Sequence, residues 1–193
     1  MGSIRYFIGF LLTVGLIILL IVLLFHHGGN GKVPVTQAPL TSYANTDTVV
    51  RETIDGPINA PATHRQLQIT VGRNNTTFEE LSGYDGNVVK SQSYDMTENA
   101  YSNFLYAIER AGYTQGNTDR ALKNERGYCP EGRRYIFEVI QDGKDLERYW
   151  VTNCNGTPKT FNGKASLVID LFRAQVPDYT SLTSDLNNGT ASF

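Results

Sequence analysis

The sequence predicts an α+β fold: a mostly antiparallel sheet, built in the order β-β-β-β-α-β-β-α with two packed helices, preceded by one N-terminal transmembrane helix. Three observations carry that expectation. An uncharged apolar run opens the chain, short stretches of alternating hydrophobicity bounded by turn residues follow it, and two later stretches switch to helical spacing.

The run Tyr6–Phe25 contains 20 residues, 17 of them apolar and none charged. At about 1.5 Å per residue it covers roughly 30 Å, the hydrocarbon thickness of a bilayer. A cleaved signal peptide has a shorter apolar core, roughly 7 to 15 residues, followed closely by a small-residue cleavage site. Here Ala60-Pro61-Ala62 lies far downstream, and neither cysteine is near enough to the N-terminus for a lipid anchor. The amino terminus and Arg5 outweigh Lys32 on the far side, which sets residues 1–5 as a cytoplasmic stub and 6–25 as the span. The expected location is therefore the cell membrane, single-pass, with the N-terminus cytoplasmic and the C-terminal domain outside. Residues 26–46 are rich in Gly, Pro, Thr and Asn and read as a flexible linker. Residues 47–179 form the extracytoplasmic domain, and 180–193 a polar C-terminal tail.

Within the domain, Thr48–Asp55, Arg65–Gly72, Thr76–Gly83 and Asn87–Tyr94 read as strands. Leu67, Ile69 and Val71 alternate most cleanly, and the dipeptides Asn74-Asn75 and Asp85-Gly86 favour antiparallel hairpins. Thr97–Ala111 places Tyr101, Phe104, Leu105 and Ile108 on one helical face, with Thr97 as N-cap and Gly112 at the C-terminal end. Arg134–Gln141 and Asp145–Asn153 form a hairpin about Asp142-Gly143. Setting Gln141 opposite Asp145 pairs Glu138 with Arg148, Ile136 with Trp150 and Ile140 with Leu146. A last helix, Gly163–Gln175, puts Leu167, Val168, Leu171 and Phe172 on one face and stops before Pro177.

Cys129 and Cys154 flank that hairpin, so closing it brings them near one another. An even pair placed this way in an exported chain is read as a structural disulfide. His64, the one histidine beyond the membrane boundary region, has no second histidine to join it and is read as a surface or strand-edge residue. No Ser/His/Asp spacing, zinc-ligand cluster, GxGxxG or GxxxxGK[ST] motif occurs, which argues against a triad, a metal, a nucleotide or any other cofactor. Carboxylates are plentiful, but no spacing marks an acid and base pair. One charged stretch stands out: Arg120, Lys123, Arg126, Arg133 and Arg134, interleaved with Asp119, Glu125 and Glu131. Gathered on one face they would attract an anionic polymer. Removing Arg5 leaves 16 basic residues against 19 acidic ones, a net −3 from His26 onward, so a solvated loop is the default and nucleic acid is disfavoured.

The span, RGYCPEGRRYIFEV, RYWVTNCNGT and LFRAQVPDY together resemble membrane-anchored exported domains of small-genome bacteria of candidate phyla, a group without an assigned activity. The resemblance covers Asp47–Tyr179 and the anchor; it implies a bacterial surface location, is consistent with the Cys129–Cys154 pairing, and carries over no catalytic or binding residue. The expected function is a non-enzymatic binding or envelope-interaction module, touching lipid through its helix and an envelope protein or polymer through its domain. Anionic-polymer binding by the Arg120–Arg134 region, to cell-wall polymer or nucleic acid, is the alternative, and a carboxylate-based hydrolase is the second.

Overall fold

The computed structural model describes residues 38–187 together with Leu16 and Leu19. The expected stub and linker up to residue 37, the rest of the span, and residues 188–193 lie outside the described residues. Among the described residues no helix is long and apolar enough to cross a membrane. The chain divides into two units, Met1–Gln37 and Ala38–Phe193, and the sheet and its helices belong to the second.

That unit is α+β, with one six-stranded antiparallel sheet: β1 (Val49–Asp55), β2 (Arg65–Val71), β3 (Asn75–Ser82), β4 (Asn87–Asp95), β5 (Arg134–Gln141) and β6 (Lys144–Thr152). Four described helices accompany it: α1 (Glu98–Arg110), α2 (Ala165–Arg173), α3 (Tyr179–Leu182) and α4 (Ser184–Asn187). The expected strand order needs correction in two respects. Two short helices follow α2, and across the sheet the strands run β4-β3-β2-β1-β5-β6. The reason is the connection through α1. Hairpin turns add β2, β3 and β4 outward from β1 in sequence; α1 and the following loop then return the chain to the other edge of β1, where β5 pairs.

Alternation sorts each strand into two faces. Val50, Ile54, Leu67, Ile69, Phe78, Phe137 and Val139 pack in one buried cluster with Tyr101, Phe104, Leu105 and Ile108 of α1 and Val168 and Phe172 of α2. Phe104 meets Phe172 edge to face at 5.2 Å. The Thr97 hydroxyl accepts from Ala100 N at 3.2 Å, and Gly112 turns the chain at φ +85° after the helix. Backbone meets backbone there: Lys164 N donates to Ala111 O at 2.8 Å, and a Cβ on Gly163 would strike the Gly112 carbonyl. Of the face expected on α2, Val168 and Phe172 are buried, whereas Leu167 is exposed.

Two boundaries also move. Leu40–Tyr43 forms a 3-10 turn whose Leu40, with Ala44, is buried and packs against α1, so the linker expected over 26–46 becomes part of the domain from residue 38. The tail expected from 180 continues the fold as α3 and α4, because Leu182 and Leu186, four residues apart, present one apolar face to the core. Lys90 Nζ fastens it by donating to Leu182 O at 2.8 Å.

The β5–β6 hairpin differs from its expected register by one residue at the turn. Asp142 and Gly143 both lie at positive φ, 51° and 72°, the two-residue loop that suits strand twist, so Gln141 faces Lys144 and Ile140 faces Asp145. A bulge between Val139 and Ile140 then restores the expected pairs Glu138–Arg148 and Ile136–Trp150, leaving Leu146 exposed.

Candidate functional site

The sheet face away from the helices carries Asp55, Arg134, Ile136, Glu138, Arg148 and Trp150, and the segment between α1 and β5 folds over part of it. That segment is anchored at three places. A bridge joins Gly116 to Phe161, Asn117 N donates to Thr160 O at 2.9 Å, and the Cys129–Cys154 disulfide, with Cα atoms 5.8 Å apart, closes the far end. Two short 3-10 turns lie between, Arg120–Leu122 capped by the Asp119 side chain and Glu125–Gly127 capped by that of Asn124.

Between this segment and the β6 edge lies a cleft of about 220 Å³, lined by Asn117–Arg120, Leu122, Lys123, Arg148, Trp150 and Thr160. Trp150 is buried and fixed from several sides. Its indole Nε1 donates to Leu122 O at 2.7 Å, its backbone N donates to Thr160 Oγ1 at 2.8 Å, and its ring stacks on Tyr128 at 5.3 Å. Arg148 is held by two carboxylates: Nη2 donates to Glu125 Oε1 at 2.7 Å, and Nε lies 3.3 Å from Glu138 Oε1. Burial works against its charge, but the hydrogen bond and charge of Glu125, with Glu138 and Asp145 behind, outweigh that and raise its ionisation above the ordinary guanidinium value. Glu138 is shared with Arg51 Nε at 2.7 Å.

The five basic residues of the candidate patch do not share one face. Arg120 and Lys123 stand exposed at the cleft. Arg133, half-buried, has its backbone tied to Asn153 on the disulfide-bearing loop. Arg134 is fully buried: Nε donates to Asp55 Oδ2 at 2.9 Å, Nη1 to Cys129 O at 3.1 Å, and Nη2 to Gly56 O. Arg126 turns toward the same carboxylate, 3.5 Å from Asp55 Oδ2, with its guanidinium 5.0 Å above the Tyr84 ring. The physical reason is Asp55. A carboxylate at the end of an interior strand must be paired, and Arg134, directly opposite it in the ladder, is drawn inward.

His64, expected at the surface or at a strand edge, stands just before β2 but is buried. Its ring is buried, with Nε2 2.9 Å from Asp55 Oδ1, Nδ1 3.0 Å from Pro57 O, and the Tyr84 ring stacked at 4.0 Å. The lone histidine followed a proline-rich stretch and preceded a strand, which gave no sign of a buried partner. Among the described residues no group of three His, Cys, Asp or Glu side chains could converge on a metal.

A further buried acid is Glu52, on the core face of β1. Neither carboxylate oxygen has a hydrogen-bond partner. Burial raises its pKa to about 8, against the lowering effect of Arg173 and with a smaller raising effect from Asp170. No protein-family model matches the chain, and no curated protein is significantly similar to it.

Proposed function

We propose that this chain is a non-enzymatic binding module, held at the cell membrane by Tyr6–Phe25 with its domain outside, and that it takes an anionic ligand at the cleft beside β6. One observation supports the site above others: Arg120 and Lys123 flank a preformed cavity, and neither is in an ion pair with a described residue. Charge there is available to a ligand, whereas Arg126, Arg134 and Arg148 are already spent on Asp55, Glu125 and Glu138. The same accounting favours binding over carboxylate hydrolysis. Asp55, Glu80, Glu125 and Glu138 each face cationic side chains, which leaves no free close pair among them to divide acid and base roles.

Retention of the full-length protein on an immobilised polyanion tests this reading. Binding should weaken with ionic strength and be lost in Arg120→Glu/Lys123→Glu, while Arg133→Glu keeps most of it. Equal retention of the Arg120→Glu/Lys123→Glu variant would overturn the assignment. Location is tested on intact cells with a membrane-impermeant thiol reagent: labelling only after reduction is the expected outcome, and labelling only after the cells are opened would overturn it.

A further inference from the structure

Resting on that reading of the cleft, we infer that its ligand is a compact apolar carboxylate, the chemistry that a peptide's C-terminal residue presents. Size comes first. A cavity of about 220 Å³ is smaller than the roughly 300–1,000 Å³ of sites that enclose drug-sized ligands, so it accepts one side-chain-sized group and leaves the rest of the ligand outside.

The polar groups of the lining are partnered within the protein. The Trp150 indole N–H is used by Leu122 O, and Thr160 Oγ1 by Trp150 N. Asn117 Oδ1 accepts from Asp119 N at 3.2 Å and its Nδ2 donates to Lys159 O at 3.4 Å, while Asp119 Oδ1 accepts from Ala121 N at 2.9 Å. Arg148 is committed to Glu125 and Glu138. A sugar or a phosphate entering the cavity would lose its water and meet groups that each already hold a partner, beside the apolar faces of Trp150 and Leu122, whereas an apolar group there gives up no hydrogen bond. What remains for a polar ligand group is the mouth, where Thr118, Arg120 and Lys123 are exposed.

Charge then selects the head group. With Arg148 and Arg51 balanced by Glu125 and Glu138, Arg120 and Lys123 against Asp119 leave one net positive charge at the mouth. A monoanion matches it, as a carboxylate is at neutral pH.

Trp150 is the one tryptophan of the chain, so indole emission reports on this cleft alone. The test titrates the full-length protein in detergent micelles with N-acetyl-phenylalanine, N-acetyl-leucine, their C-terminal amides and inorganic phosphate. Both acids should shift Trp150 emission saturably; the amides should bind about tenfold more weakly or not at all, phosphate should not compete, and Arg120→Gln/Lys123→Gln should weaken the acids about tenfold. Equal binding of acid and amide would overturn the carboxylate, and equal competition by phosphate would overturn the apolar pocket. If no acid binds but polyanion retention still depends on Arg120 and Lys123, this inference fails and the anionic-site reading stands; if neither is seen, both fail.

Discussion

Asp55 sits at the end of an interior strand and is contacted by His64 on one oxygen and by Arg134 and Arg126 on the other. The cost of burying these charges is offset only while all partners remain, so removing one leaves the others uncompensated. Asp55→Ala should therefore destabilise the domain by roughly 3–5 kcal/mol, read as a shift of the denaturant midpoint; a loss below about 1 kcal/mol would show that Arg134 and His64 find other partners. Glu52 behaves oppositely. Its folded pKa of about 8 lies above the ordinary carboxyl value of 4.5, so the folded state keeps a proton that the unfolded chain releases. Stability should be unaffected by this group below pH 4.5, fall as pH rises through the window, and level off above 8, a loss on the order of a few kcal/mol. Glu52→Gln should flatten that slope and raise the melting temperature at pH 8. An unchanged pH profile in the variant would assign the slope to other groups.

At the scale of elements, the β5–β6 hairpin links the fold to the cleft. Its turn places Asp142 and Gly143 at positive φ, a conformation glycine adopts without strain. Gly143 has open space around its Cα, so Gly143→Ala carries only the conformational cost, about 1–2 kcal/mol. Gly163→Ala should cost more, because its Cβ would meet backbone of the α1 C-terminus, where nothing flexible can yield. Equilibrium unfolding of the two variants checks that ranking. The disulfide closes the same hairpin from its open end, and Cys129→Ala/Cys154→Ala should cost roughly 3 kcal/mol by chain entropy alone. It should also loosen the segment that walls the cleft. Hydrogen exchange over residues 117–128 faster than in β1 and β2 is the expected signature, and uniform exchange would separate the disulfide from the cleft.

Across the whole molecule, the helices cover one sheet face and the loop after α1 covers part of the other, which leaves the cleft at a boundary between loop and edge strand. The edge of β6 is partly protected there, since Thr160 N and Phe161 N both donate to Trp150 O at 3.0 Å. This arrangement explains what could be read beforehand. The strands, the two main helices, the Thr97 cap and the cysteine pairing rest on interactions between residues close in sequence or on a period of 2 or 3.6, so a single chain displays them. The hairpin register was legible except at its turn, where a two-residue loop and a compensating bulge replaced a wider loop.

The cleft and the Asp55 cluster had no such signature. Arg134 and Arg126 counted as surface charge until β1 placed Asp55 beside them, 79 residues from Arg134 in sequence. His64 reads as a surface or strand-edge residue in the sequence, and only the fold stacks Tyr84 on it. By itself the sequence determined an α+β domain with an antiparallel sheet, the hairpin cysteines and an uncharged run of membrane length, because periodicity, turn chemistry and hydropathy act locally. Only the tertiary structure decided the sheet order, which charges are consumed in burial and which two, Arg120 and Lys123, stay available beside a cavity. Burial and ion pairing depend on what distant strands bring together, and no spacing along the chain encodes that distance.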